Sequence, residues 1–375
     1  MKKALSFLFV FSFIITLFLF QGCGKKQGNV IKIGAILPLT GNVSWLGENA
    51  KAGIDLAVQE VKKKNNLKIE VIYGDSKLDP KTAVSLANKM ISSDNVDFFI
   101  ASGTTIVNAI MPITEKNKII MFAQTIQPNI TLKGKYIYRL YGGGDAEWKY
   151  LADYINHAKI DKIGVFMINA QYGIDCYNSL TKYLDNNVEI LFTIQYPIGE
   201  NTYRNYITKN LNKIKETQGI VLIGYGNEFV TIIKQLNEYN FNNVIFGNID
   251  FTFSFLRNDK LAENAIFVAP TFSTGEKTKI TFALDSNFEK KYPEKELSWD
   301  VANSFDTIQL IGNLLQEDIN LKNSPKAFYN KFSKLNNFLG ASGNLTIDAN
   351  SRELNIPLTL ATIKNGQVIK YNTKF

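Results

Sequence analysis

From Val30 onward the chain alternates between short β-rich apolar runs and segments whose apolar residues recur every three or four positions. Val30 to Leu39 reads as a strand, and Ala50, Gly53, Ile54, Ala57, Val58 and Val61 then lie on one face of an amphipathic helix. Lys68 to Tyr73 predicts a second strand. Asp79-Pro80, a capping residue followed by a proline suited to the first helical turn, opens a helix with Ala83, Leu86, Ala87, Met90 and Ile91 on its apolar face. Val96 to Ala101 and Lys118 to Ala123 predict strands on either side of a helix at Ile106 to Lys116. Repeated βαβ units call for a parallel sheet with helices on both faces.

Gly142-Gly143-Gly144-Asp145 interrupts this pattern. It precedes a helix, as a phosphate-cradling loop does, but lacks the rest of a dinucleotide fingerprint, so a hinge is the better reading. The alternation then restarts, with helices expected at Trp148 to Ala158, Tyr172 to Leu184, Thr202 to Glu216 and Glu228 to Asn240. Strands are expected at Lys162 to Ile168, Glu189 to Tyr196, Gly219 to Tyr225 and Asn243 to Gly247. Phe267 to Thr271 reads as a second crossover, and Val301, Phe305, Ile308, Gly312 and Leu315 form one more helix face. The tail from Leu345 to Tyr371 alternates like antiparallel strands, with a turn at Lys364-Asn365-Gly366. The expected class is therefore α/β, with two doubly wound parallel-sheet lobes, and 375 residues suit two domains.

The first residues have a different character. Lys2 and Lys3 precede an almost unbroken apolar run from Ala4 to Phe20, then Gln21-Gly22-Cys23 and a polar stretch. This order reads as a signal peptide over residues 1–22. The Gly-Cys border resembles a bacterial lipobox, with Phe20 where leucine is usual, and cleavage there leaves Cys23 to carry lipid on a linker of residues 23–29. A short transmembrane anchor is the alternative. Removing residues 1–22 takes away Lys2 and Lys3 and no acid, which leaves 40 basic and 34 acidic side chains, net +6. These charges are dispersed, without an arginine stripe. They are read as promoting solubility and attraction to anionic membrane surfaces, with no nucleic-acid partner.

Catalytic equipment is sparse. His157 is the only histidine, which opposes a Ser-His-Asp triad, a Cys-His pair or a histidine metal cluster. Glu147 with Asp145, and Glu294 with Glu296, fall where capping or solvent exposure is expected. Once Cys23 is lipidated, Cys176 has no disulfide partner and is expected to be a small buried side chain. The expectation is a binder that is not an enzyme and uses no cofactor or metal.

Ile33-Gly34-Ala35-Ile36-Leu37-Pro38-Leu39-Thr40-Gly41, Leu46-Gly47 and Gly53-Ile54-Asp55-Leu56-Ala57-Val58 closely resemble the opening of the leucine/isoleucine/valine-binding protein family, the type I periplasmic solute receptors. Asp79-Pro80 with Ala87-Asn88-Lys89, Pro128 with Thr131, Tyr172-Gly173, Ser304-Phe305-Asp306 and Gly343 to Asp348 extend the resemblance in order over residues 30–370. It implies two lobes joined by three crossovers, near Tyr141–Gly144, Ala269–Thr271 and Ser351–Glu353. One lobe would comprise residues 30–141 and 272–352, and the other residues 142–271 and 353–375. It further implies an extracytoplasmic receptor that delivers ligand to an ABC permease and its ATPase, anchored by lipid at Cys23 on the outer face of the cytoplasmic membrane or in the periplasm. A non-transport lipoprotein of the same fold, acting as a sensor or cell-wall-enzyme regulator, is the alternative.

In such a fold the ligand lies where strand ends of the two lobes face each other. Ser102-Gly103-Thr104-Thr105 joins a strand end to a helix start, where free N–H groups and the helix dipole favour a carboxylate or other polar oxygen. Alternatively, Thr104 or Thr105 only caps its own helix. Ala123-Gln124-Thr125 offers a second polar strand end, and Trp45 and Leu46 an apolar wall. Tyr172, Tyr225 and Asp250 lie at strand ends of the second lobe, where Asp250 could pair with a ligand ammonium. The family's carboxylate-binding serine aligns with Gly103 and its ammonium-binding threonine with Ile126, and a one-residue shift would let Thr104 and Thr125 substitute. The expected ligand is an amino acid or a related amide or carboxylate.

Overall fold

The computed structural model describes residues 30–65, 67–127, 129–140 and 145–372. The expected signal peptide, Cys23 with its linker, Pro128 and the crossover at Tyr141–Gly144 lie outside the described residues. β1 (Val30–Leu37), α1 (Ser44–Asn65), β2 (Lys68–Asp75), α2 (Pro80–Lys89), β3 (Phe98–Ser102), α3 (Thr104–Asn117), β4 (Ile120–Gln124) and β5 (Ile137–Leu140) come first. Then follow α4 (Ala146–His157), β6 (Lys162–Ile168), α5 (Gln171–Tyr183), β7 (Glu189–Tyr196), α6 (Arg204–Glu216), β8 (Gly219–Ile223), α7 (Gly226–Glu238), β9 (Val244–Gly247), α8 (Ser254–Arg257) and β10 (Ile266–Pro270). The chain ends with α9 (Lys279–Lys291), α10 (Trp299–Glu317), α11 (Pro325–Phe332), β11 (Asn337–Gly340), β12 (Gly343–Asp348), β13 (Glu353–Asn355), β14 (Leu358–Lys364) and β15 (Gln367–Lys370).

These strands form two sheets, ordered β11-β12-β13-β5-β4-β3-β1-β2 and β15-β14-β10-β9-β8-β6-β7. β1 to β5 pair in parallel, as do β6 to β10. Each sheet reverses its winding once, between β1 and β3 in the first and between β6 and β8 in the second, which opens a crevice at the carboxyl ends of those strands. The α/β expectation of two doubly wound sheets holds. Close packing of α1 on α10 explains one of the motif glycines, because a Cβ on Gly53 would lie 2.2 Å from the Val301 carbonyl oxygen.

Two strands start later than the periodicity suggests. Lys118, expected to begin a strand, instead takes φ 55° and closes α3, so β4 begins at Ile120. Before β3, a π-helical turn over Met90–Asp94 extends α2, and Asn95 at φ 54° ends it.

The tail is divided between the sheets. β12 and β13 belong to the first, and the β14–β15 hairpin, turned by Asn365 and Gly366 at φ 51° and 72°, belongs to the second. β13 pairs antiparallel with β12 but parallel with β5, so the chain crosses after Asn355 rather than at Ser351–Glu353. The reason is a buried ion pair. Glu353 Oε1 lies 2.6 Å from Arg139 Nη2 on β5 and accepts the Thr131 hydroxyl at 3.0 Å, which holds Glu353 against the first sheet. The Thr271 N–H donates to the Pro357 carbonyl at 3.0 Å, so the second and third crossovers are bonded to each other. Among the described residues no helix is long and apolar enough to cross a membrane.

Replacing Glu353 by Ala strands the Arg139 guanidinium, whose side chain is only 3% exposed. A loss of about 3 kcal/mol is expected in urea unfolding, the usual cost of orphaning one partner of a buried pair. A change within about 0.5 kcal/mol, typical of exposed sites, would show that the pair does not secure the crossover.

Candidate functional site

The crevice between the two switch points closes over a cavity of about 50 Å³. From the first sheet's side it is lined by Trp45 and Leu46 at the start of α1, by Ser102, Gly103 and Thr104 after β3, by Gln124, Thr125 and Ile126 after β4, and by Trp299, the first residue of α10. From the second sheet's side come Tyr172 on α5, Tyr225 ahead of α7, and Asp250 after β9. Each of these residues sits at or just beyond the carboxyl end of a strand or at the amino end of a helix, so parallel topology alone brings them together.

On the first side, Gly103 takes φ 100°, and a Cβ there would meet Leu78 Cδ1 at 2.9 Å. Backbone geometry thus explains why glycine replaces the serine expected from the family resemblance. Gly103 is the N-cap of α3 and makes no side-chain cap bond, so neither threonine serves as that cap. The Thr104 and Thr125 hydroxyls instead bond each other at 2.7 Å across the strand ends, and the Gln127 N–H donates to Thr125 Oγ1 at 3.2 Å. When Thr125 donates to Thr104, the Thr104 proton is left to face a ligand acceptor. Gln124 Nε2 donates to the Ser304 hydroxyl at 2.7 Å.

On the second side, the Tyr172 and Tyr225 rings stack at 5.2 Å. Asn248, fully buried, donates to the Tyr172 hydroxyl at 2.9 Å and accepts the Asp250 N–H at 3.1 Å. Asp250 Oδ2 accepts the Gly226 N–H at 3.0 Å, and the Trp299 indole, from the first side, favours the charged form of the same carboxylate. Trp45 crosses the crevice in the other direction, packing edge-on against Phe253 with centroids 4.6 Å apart.

The electrostatics are one-sided. No Lys, Arg or His is among the lining residues. Burial pushes the Asp250 carboxyl well above its usual range, and the neighbouring acids Glu147 and Asp300 push it the same way, while the Gly226 bond and the nearby Trp299 indole pull it back. Burial raises Glu147 to about 7, opposed by the hydrogen bond from the Ile249 N–H at 2.6 Å. Asp300 is raised to about 6 by burial, against the bond from the Ser298 hydroxyl. Among the described residues no group of acids, His and Cys is placed to hold a metal ion.

Of the residues singled out from sequence, Trp45, Leu46, Ser102, Gly103, Thr104, Gln124, Thr125, Tyr172, Tyr225 and Asp250 all line this cavity. Thr105 does not, and Ala123, on β4, packs into the apolar core. Trp299 was not anticipated, although it precedes the Val301–Phe305 face by less than a turn and opens a helix at the crevice. Glu147, expected to be solvated, is buried against Ile249. Its signal was in the sequence, since Glu147, Leu151 and Ile155 form one i, i+4, i+8 stripe, all buried. Cys176 is free and buried, as expected.

The sequence profile of the family described as periplasmic binding protein matches residues 30–367. Among curated proteins, Leu/Ile/Val-binding protein homolog 3 of Brucella melitensis is 29% identical over 150 residues, covering 38% of this chain and 40% of that protein. The match thus spans about two fifths of that relative's length. Among solved structures, the branched-chain amino acid transporter substrate binding protein LivJ of Streptococcus pneumoniae, in complex with isoleucine, aligns with a TM-score of 0.80 at 21% identity, covering 90% of this chain and 97% of that one. An ABC-transporter solute binding protein of Rhodopseudomonas palustris, in complex with 3,4-dihydroxybenzoic acid, aligns with a TM-score of 0.82 at 16% identity, covering 92% and 96%. These structural likenesses are of fold.

The raised Glu147 carboxyl has a consequence for stability. It holds its proton more tightly folded than unfolded, so its contribution is complete below the ordinary carboxylate range and is lost as pH rises through about 7. Glu147→Gln keeps the acceptor for Ile249 but cannot ionise. Relative to the parent, this variant is expected to gain up to about 3 kcal/mol between pH 5 and pH 8 in denaturant unfolding. Parallel pH profiles for the two proteins would contradict the assignment.

Proposed function

We infer that this chain, which belongs to the periplasmic binding protein family, is the exported solute receptor of an ABC importer. It captures a small polar ligand in the crevice between two lobes and presents it to a permease driven by an ATPase. The observation that carries this reading is the cavity lined from both sheets at their switch points, with an aromatic wall and convergent polar groups. The lobes are residues 30–141 with 272–352, extended by the β13 strand, and residues 142–271 with the β14–β15 hairpin. Closure about the three crossovers traps the ligand. Lipid on Cys23 holds the receptor at the outer face of the membrane.

The chemistry of the lining narrows the ligand. Asp250, buried and without a basic neighbour in the lining, suits an ammonium or another N–H donor. The amino end of α3 and the Thr104 hydroxyl suit an oxygen at the ligand's other end. Trp45, Trp299 and the tyrosine pair form apolar walls. An amino acid or a small amide meets these demands. About 50 Å³ is well below the roughly 300–1,000 Å³ of drug-sized sites, so the ligand is small. Solved proteins of this fold carry isoleucine and a dihydroxybenzoic acid, so the fold accepts either kind of compound.

Thermal unfolding of residues 24–375 against amino acids, amides, urea and aromatic acids tests the reading. A ligand at 100 times its Kd adds about 2.7 kcal/mol, enough to move the midpoint by several degrees. A shift confined to one chemical class is expected. No shift with any compound, in protein freed of carried-over ligand, would favour a scaffold role for the lobes. For an ammonium-bearing ligand, Asp250→Asn is expected to weaken binding at least tenfold by calorimetry, the scale of a hydrogen bond to a charged group. Unchanged affinity would remove Asp250 from the site.

A further inference from the structure

We propose that the pole of the first lobe farthest from the cavity is a docking surface for anionic phospholipid. In parallel βα units every helix returns the chain to the end of the sheet opposite the ligand crevice. The last turn of α1 therefore delivers Lys62, Lys63 and Lys64 to that end, and Lys68, the first residue of β2, stands directly beside Val30 in the strand register. All four lysines are exposed, and none is in an ion pair among the described residues. The band continues across a groove between α1 and α9, where Lys63, Lys290 and Lys291 rim a floor of Leu56, Leu284 and Phe305. Acids interleave with these lysines at Glu60 on α1, Glu289 on α9 and Glu70 on β2, but six lysines stand against three acids.

The occupant follows from where the chain emerges. Val30 is the first described residue, and its carbonyl is held by Lys322 Nζ at 2.8 Å within the same pole. Residues 24–29 separate it from Cys23 and include Lys25 and Lys26. Six residues span at most about 20 Å. A lipid on Cys23 would therefore keep this pole close to the bilayer, and the lysines could settle within a Debye length of about 8–10 Å from its surface. A lipid chain and a basic patch are the two signals that together make membrane attachment stable. The proposal rests on the lipid-anchor reading for its membrane, but the lysine patch is testable without the lipid and without any ligand.

Residues 24–375, unlipidated, are floated with vesicles of one-third phosphatidylglycerol in phosphatidylcholine, and with phosphatidylcholine alone, at about 0.1 M and 0.5 M salt. Binding to the anionic vesicles only, lost at high salt, is expected. Each basic side chain near an anionic surface is worth roughly fivefold in affinity, so Lys62→Gln with Lys63→Gln and Lys64→Gln is expected to weaken binding about a hundredfold. The control triple Lys209→Gln, Lys213→Gln and Lys215→Gln removes the same charge from α6 in the other lobe and is expected to change binding little. Equal losses in the two triples would overturn the proposal in favour of net charge alone, and so would absence of binding to anionic vesicles at low salt. Unfolding midpoints matched to the parent show that both triples remain folded. Because the readout needs no ligand, a silent ligand panel would leave it unaffected.

Discussion

Asp250 carries a carboxylate into a site where its neighbours Glu147 and Asp300 are carboxylates as well and no basic side chain lines the space. A buried charge without compensation is costly, and the available compensation comes from an N–H of α7 and an indole from across the crevice. Much else in the crevice follows from that constraint. Asn248 fixes the loop that presents Asp250, Glu147 pins the next backbone N–H, and Trp299 brings the opposite lobe to the same carboxylate. In the proposed function, a ligand that donates to Asp250 would supply what the protein itself lacks there.

The scaffold makes such a site possible because parallel sheets collect strand ends. Both sheets reverse their winding next to the crevice, and the chain passes between them three times. The crossovers that lie within the described residues are tied together by the bond from Thr271 to Pro357, and the Arg139–Glu353 pair fastens the last first-lobe strand to β5. In the proposed closure, rotation about so few connections would part contacts across the crevice such as Trp45 on Phe253.

Much of this was legible in the chain. Strand and helix positions follow from periodicity because the central strands, such as β3 and β8, are fully buried apolar runs, while the edge strands β2 and β7 alternate. Ten of the residues singled out from sequence line the same cavity because parallel topology dictates that strand ends converge. What escaped notice depends on distant contacts. Glu353 joins the first sheet because Arg139, more than two hundred residues earlier, demands a buried partner. Gly103 reads as a missing serine until its φ of 100° is known. Lys118 looks like the start of a strand because single residues in the left-handed region leave little mark in a sequence. Trp299 faces the cavity because it is the first residue of α10, whose amino end lies at the crevice.

The placement of the ligand can be measured directly by fluorescence. The chain has three tryptophans, of which Trp45 and Trp299 line the cavity and Trp148 is fully buried on α4. A compound that raises the unfolding midpoint is titrated into the parent protein and into a Trp45→Phe, Trp299→Phe double variant. A saturable emission change in the parent, absent from the variant, is expected if the ligand sits between the two lobes. Stabilisation with no emission change in the parent, or a change that persists when Trp148 alone remains, would place the ligand elsewhere and contradict the account.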